Sequence, residues 1–372
     1  MRWTPLRSEM WCVDGRRTTA ISWCEWYSFL MSDVALYRKY RPASFKDVVG
    51  QQHVVSALQG ALREKKLAHA YLFYGSRGTG KTSIARIFAR ELGATETDMH
   101  EIDAATYTGV DNIRALREEA AVMPFASPRK VYIIDEVHML SKGAFNAFLK
   151  LLEEPPAHVT FILATTELDK VPDTIQSRCQ VFTFQKPTMR ALSETVTTIA
   201  RAEGYALEKP AAELIAILAD GSFRDSQSLL QKVLSATSGT HITVAEVSTI
   251  TGAPRAHVVA HIIEGLSTGN HAHALNAVSE AVRDSVDMAV LMALLIDRVR
   301  MVLMLRYAPE IGTQLVEDLS DTEREFLVHL AKDATSKVNS ETLRALLVAA
   351  QEVARAPVPQ LPLELAIIER TQ

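Results

Sequence analysis

Cysteine is scarce in this chain: Cys12, Cys24 and Cys179 are all there are in 372 residues. Three thiols so far apart cannot build a disulfide framework or a four-ligand zinc site, and they fit a reducing cytoplasm. Tryptophan is as thin and oddly placed. Trp3, Trp11, Trp23 and Trp26 are the whole set, and with Cys12 and Cys24 they fall before Met31. Residues 1–30 have no helical or alternating period, so they are expected to be foreign to the fold. They read as a disordered tail or as sequence upstream of a start at Met31, with an aromatic interaction arm as the alternative. No long apolar run exists. The most apolar stretch, 288–305, is broken by Asp297, Arg298 and Arg300, which makes it a core helix and not a membrane span. Stretch 21–30 is short and carries Glu25, unlike a secretory signal. There is no excess of either charge: the net value is −4, so a nucleic-acid partner would have to be met by local basic patches or by an assembly. With 48% hydrophobic and 23% charged residues, the chain has material for a buried core and length for about two or three domains.

What the chain does have is Gly75-Ser76-Arg77-Gly78-Thr79-Gly80-Lys81-Thr82, a match to the phosphate-loop pattern G-x-x-x-x-G-K-[ST] at every fixed position. Residues 70–74 read as a buried strand and 83–90 as an amphipathic helix, so the loop joins a strand to a helix N-terminus. Glycines let successive N–H groups face one concavity, and the helix dipole adds positive potential. Lys81 would reach the β- and γ-phosphates, and Thr82 would ligate Mg²⁺. Downstream, 130–134 is an apolar strand ending in Asp135 and Glu136. Placed after a phosphate loop, Asp135 would hold the Mg²⁺ shell and Glu136 would orient or deprotonate the attacking water. A further β-branched run, 159–164, leads to Thr165-Thr166-Glu167. A hydroxyl at such a strand tip can bond the γ-phosphate or the water, and Thr166 is the choice, with Thr165 the alternate. Strand candidates at 100–103 and 181–184 and helices at 54–63 and 112–121 complete an α/β layer with a largely parallel sheet. Residues 37–42 read as a basic loop before a helix.

Past Pro187 strands are expected to stop. Residues 188–203, 210–220 and 224–237 read as three short helices, and 256–266, 271–286, 288–305, 321–332 and 341–356 as further ones. The last has Leu343, Leu346, Leu347, Ala350, Val353 and Ala354 on one face. Pro357, Pro359 and Pro362 punctuate the end.

From Leu36 onward the sequence closely resembles the gamma/tau subunit family of bacterial DNA polymerase III, the motor subunits of the sliding-clamp loader and AAA+ ATPases. The likeness lies in Tyr37-Arg38-Lys39-Tyr40-Arg41-Pro42, the phosphate loop, Ile134-Asp135-Glu136-Val137-His138-Met139-Leu140, Leu152-Glu153-Glu154-Pro155-Pro156, Ala164-Thr165-Thr166, Ser177-Arg178-Cys179, Gly221-Ser222-Phe223-Arg224-Asp225 and Leu361-Pro362-Leu363-Glu364. It implies an α/β AAA+ P-loop core at 35–186, a three-helix lid at 187–251 and an all-α collar at 252–372, preceded by an extension at 1–34. It also implies that Arg178 is an arginine finger reaching a neighbouring subunit's ATP. Arg224 would be the lid sensor of the γ-phosphate, and Pro42 and Val49 would lie near the adenine.

The activity so implied is ATP hydrolysis that loads a sliding clamp (beta) onto primer-template DNA. Its partners would be the delta and delta-prime subunits, in a ring-like pentamer held by self-association through the collar. The location would be cytoplasmic, at the nucleoid, with no membrane contact. Two departures from the family pattern stand out. Family members usually carry four cysteines holding a structural zinc between the phosphate-loop helix and the acidic strand. Here Glu91-Leu92-Gly93-Ala94-Thr95-Glu96-Thr97-Asp98-Met99 takes that place, so no zinc is expected, only ATP and Mg²⁺. The sequence also stops with the collar, as in the shorter gamma form. The alternatives are a non-hydrolysing scaffold subunit, which the intact Lys81, Thr82, Asp135 and Glu136 disfavour, and a branch-migration helicase motor of the same superfamily, which the long helical stripes after Gly252 disfavour.

Overall fold

The computed structural model describes residues 34–316, 319 and 321–369, so the reading of residues 1–30 lies outside the described residues. Five strands form one parallel sheet: β1 (Ala70–Tyr74), β2 (Met99–Asp103), β3 (Lys130–Asp135), β4 (Val159–Thr165) and β5 (Gln180–Thr183), in the order β2-β3-β4-β1-β5. The central three are apolar on successive residues because both faces are covered. Tyr71, Phe73, Val131, Ile133 and Ile162 face one side, packed on α2 (Gln52–Glu64) and α3 (Lys81–Glu91) through Leu58, Ile84 and Phe88. Leu72, Tyr132, Ile134, Phe161 and Leu163 face the other, packed on α4 (Val110–Ala121) and α5 (Lys142–Glu153) through Ile113, Leu116, Phe145 and Phe148. Truncating a fully buried phenylalanine such as Phe148 to alanine costs about 3–5 kcal/mol, against about 0–1 kcal/mol for a surface ion pair. The two apolar layers therefore hold the sheet ends where the loops emerge.

Helix α5 was not anticipated, although Phe145, Phe148, Leu151 and Leu152 recur on one face. After the short α6 (Asp173–Gln176) and β5, the chain is mostly helical: α7 (Met189–Ala202), α8 (Lys209–Leu218), α9 (Phe223–Ala236) and α10 (Val244–Thr251). The expectation that strands stop at Pro187 is corrected by β6 (Ala206–Leu207) and β7 (His241–Ile242), a short parallel pair. Between Pro187 and Gly252 there are four helices where the sequence leads one to expect three. The fourth, α10, begins with a capping box in which Thr243 and Glu246 satisfy each other's backbone N–H groups. Helices α11 (Ala256–Thr268), α12 (His271–Arg283), α13 (Met288–Tyr307), α14 (Pro309–Val316), α15 (Asp321–Lys332), α16 (Ser340–Val353) and α17 (Leu361–Glu369) follow. The proline-rich end is helical in α17 because Pro362 sits in the first turn, where its missing N–H has no intrahelical partner to lose. The supposed basic loop contains a helical turn, α1 (Leu36–Lys39), which ends ahead of Pro42. Leu36 is buried in the cluster of the later helices, Lys39 pairs with Glu203, and the Tyr40 hydroxyl donates to Glu203. Burial and that carboxylate push the Tyr40 phenol up to about 12.

Candidate functional site: a phosphate cradle at the sheet edge

The phosphate loop leaves the carboxyl end of β1 and enters α3 at Lys81, as its strand-loop-helix context requires. Gly78 and Gly80 adopt φ of +73° and +97°, conformations that a side chain disfavours. The Lys81 ammonium donates to the carbonyls of Gly75 (2.7 Å) and Ser76 (3.0 Å), which folds it back beneath the loop. Burial pulls its pKa below the usual lysine value, opposed by the carboxylates of Glu136 and Asp135. The Thr82 hydroxyl donates to Asp135 Oδ2 at 2.8 Å. That places two hard oxygen ligands side by side at the mouth of the loop, the donor set that Mg²⁺ takes together with phosphate oxygens and water.

A cavity of about 240 Å³ opens above these groups. Pro42, Val49, Arg77, Gly78, Thr79, Gly80, Lys81, Thr82, Asp135, Glu136 and Arg224 all line it, so residues far apart in sequence meet at one cleft. Gly75 and Ser76 form the loop floor beneath, through the carbonyls that hold Lys81. Thr166 stands at the end of β4, and its hydroxyl donates to Glu136 Oε2 at 3.1 Å. Thr165, the alternate, is fully buried and bonds His138 and Glu167 instead. Thr166 joins the site through Glu136 without lining the cavity, and Arg178 bonds none of these groups. It lies outside the cavity lining, half-exposed, with its guanidinium on Glu153 (2.8 Å) and on the Thr174 carbonyl (2.8 Å).

Of the cavity residues not singled out from the sequence, three bear on its chemistry. Tyr37 lies under the Arg224 guanidinium at 4.9 Å, a cation-π contact. Arg41 is partly buried, and both its burial and the nearby Arg86, Arg224 and Arg38 lower its pKa. Three guanidiniums, those of Arg41, Arg77 and Arg224, line the cavity beside the helix N-terminus that the loop opens, which makes a site for a polyanion. Gln227, one turn beyond Arg224, completes the far wall. The motif 37–42 had marked the first two as a segment, but its role depends on docking against α9, which no local pattern shows. Among the described residues no group of three or more His, Cys, Asp or Glu is disposed to hold a metal ion, and no helix is long and apolar enough to cross a membrane.

Comparison with known proteins supplies a context for this cleft. The family model described as "DNA polymerase III, delta subunit" matches residues 50–107 and 94–188. The model for "DNA polymerase III subunits gamma and tau domain III" matches residues 242–371. The chain is 40% identical over 364 residues to DNA polymerase III subunit tau of Bacillus subtilis, covering 92% of this chain and 64% of that protein. It is 34% identical over 359 residues to the tau subunit of Escherichia coli, covering 91% of this chain and 55% of that one. It thus spans less than two thirds of the length of these relatives. Among solved structures, the Thermotoga maritima RuvB Holliday junction branch migration motor matches with a TM-score of 0.51 at 21% identity, covering 83% of this chain and 98% of that one. That likeness is one of fold: a parallel sheet with flanking helices, followed by a mostly helical region.

Proposed function

We propose that this chain is a member of the gamma/tau subunit family of DNA polymerase III, to whose tau subunits it is 34–40% identical over about nine tenths of its length, and that it binds and hydrolyses ATP as a motor of the sliding-clamp loader. The observation that carries the reading is the convergence of Lys81, the Thr82–Asp135 pair and Glu136 on one cavity. In this reading loop amides and Lys81 hold the β- and γ-phosphates, and Thr82 and Asp135 hold Mg²⁺, which neutralises charge on the transferring phosphoryl group. Glu136 orients the attacking water and Thr166 bonds the γ-phosphate or that water. Arg224 reports the γ-phosphate to the helical layer that carries it, while Pro42 and Val49 flank the adenine. Residues 35–186 act as the AAA+ core, 187–251 as the lid and 252–372 as the collar through which subunits associate. Partners on this reading are delta and delta-prime subunits, the beta clamp and primer-template DNA. A non-hydrolysing scaffold is disfavoured because every group that hydrolysis needs is present. The fold likeness to a branch-migration motor does not itself separate the two motors, but the match of residues 242–371 to the gamma and tau model favours the clamp loader.

Two variants test it. Lys81→Ala removes the cation beneath the phosphates and should abolish binding of a fluorescent ATP analogue. Glu136→Gln keeps that cradle and should bind ATP with Mg²⁺ normally while losing turnover by about 10²–10⁴-fold, the range for a general base. Hydrolysis that survives Glu136→Gln at the wild-type rate would remove the carboxylate from the chemistry.

A further inference from the structure

His138 lies outside every role assigned so far, yet it joins the Glu136 carboxylate to the end of β4. Its side chain is 7% exposed. Nδ1 is 3.0 Å from Thr165 Oγ1 and 3.4 Å from Glu136 Oε2, and Nε2 is 3.3 Å from Glu167 Oε1. The partners leave little choice of roles. Thr165 Oγ1 already donates its proton to the Glu167 carbonyl (3.1 Å) and accepts the Glu167 N–H (3.0 Å), so toward Nδ1 it accepts. Glu136 and Glu167 offer carboxylate oxygens, which only accept. Lys170 holds Glu167 from its far side at 2.8 Å. Every partner is therefore an acceptor: Nδ1 faces Thr165 Oγ1 with Glu136 Oε2 beside it, and Nε2 faces Glu167 Oε1.

Glu136 needs such a restraint. It sits in a left-handed turn, φ +47° and ψ +45°, directly after β3, so neither a strand nor a helix fixes its direction. Its Oε2 accepts the Thr166 hydroxyl, and the His138 Nδ1 lies 3.4 Å from the same oxygen. On the proposed reading Thr166 turns to the γ-phosphate or the water, which leaves the imidazole as the remaining tether on that oxygen. We propose that His138 is a positioning residue for hydrolysis: it pins Glu136 Oε2 against β4 so that the other oxygen faces the attacking water. This inference rests on the ATPase reading above.

The test uses the full chain and steady-state ATP hydrolysis with Mg²⁺. His138→Ala should lower kcat by about 10- to 100-fold, a part of the general-base contribution, with KM and ATP affinity within about twofold of wild type. His138→Asn, whose amide nitrogen falls near Nδ1, should recover most of kcat. His138→Gln, whose amide falls near Nε2, should not. Adding His138→Ala to Glu136→Gln should cost nothing further, since the group being positioned is already disabled. An unchanged kcat in His138→Ala, equal behaviour of the Asn and Gln variants, or a full additional loss on the Glu136→Gln background would each overturn the proposal and leave His138 as a packing residue. No hydrolysis by the wild-type chain, or hydrolysis indifferent to Glu136→Gln, would overturn the ATPase reading and this proposal with it, a pattern distinct from the others.

Discussion

At Gly78 the phosphate loop has no room for a side chain. A Cβ there would lie 1.9 Å from Ser222 Oγ, and the Phe223 N–H donates to the Gly78 carbonyl at 3.0 Å, so loop and α9 share a backbone contact. At Gly80 a Cβ would meet open space, although φ is equally left-handed. Gly80→Ala should therefore carry backbone strain alone, about 1–2 kcal/mol, whereas Gly78→Ala should also unseat α9 from the loop. The expected outcome is a lower melting temperature for Gly78→Ala than for Gly80→Ala, with faster protease cleavage of the 184–188 connection. Equal melting and equal cleavage would show that the contact holds nothing. Lys81, Thr82, Asp135 and Glu136 were legible from the sequence because the loop pattern and an apolar strand fix residue type at set positions. Arg224 was reached only through family resemblance. Its approach to the loop depends on how α9 docks, and neither periodicity nor composition encodes that. Tyr37 and His138 stood in plain sight inside quoted motifs, but their partners, Arg224 and Glu167, belong to other segments.

Between α3 and β2, where the family pattern leads one to expect a cysteine module, Asp98 ties two segments together. It is 2% exposed and accepts the N–H groups of Phe125 (2.6 Å) and Ala126 (2.9 Å) and the hydroxyls of Ser127 (2.6 Å) and Thr95 (3.3 Å). The Ser127 hydroxyl first, with the backbone donors, holds its pKa far below the usual carboxylate range against the opposing effect of burial. Because the folded value lies below the unfolded one, the unfolded chain binds the proton more readily. The stabilisation is full above the ordinary carboxylate pKa, about 3.9, and is lost as pH falls below it toward the folded value. Asp98→Asn should therefore melt below wild type at neutral pH, and the gap should narrow on acidification below about pH 4. A gap that is constant with pH would mean that the carboxylate charge contributes nothing. The elements themselves were mostly readable, since long apolar runs and helical stripes survive any tertiary context. The misses have physical reasons: α10 is too short to show a period, β6 and β7 span two residues each, and α1 is a single turn whose apolar residue is covered by distant helices.

In the whole molecule, the region assigned to the lid and the region assigned to the collar share one apolar cluster, running from Val196 and Ile215 through Ile262 and Leu295 to Ile367. A chain cut at Thr251 would bare that surface, so point variants are the cleaner probe of assembly. Arg178 is the residue to vary. Its ion pair with Glu153 is half-exposed and worth about 0–1 kcal/mol, so Arg178→Ala should leave the fold intact. It is also outside its own chain's cavity, so ATP affinity should hold while hydrolysis falls. An arginine supplied by a neighbour accelerates phosphoryl transfer by about 10³–10⁵-fold, and a loss of that order on assembly-stimulated hydrolysis is the expected result. Lys81→Ala differs in kind, since it disables the pocket and spares the finger. Mixing the two variants therefore discriminates. An Arg178→Ala pocket beside a Lys81→Ala subunit has a working cradle and a borrowed arginine, so hydrolysis should partly return in mixed assemblies and in neither variant alone. If mixtures of verified assembly stay as inactive as their components, the guanidinium acts within its own chain, and its pairing with Glu153 is its whole role.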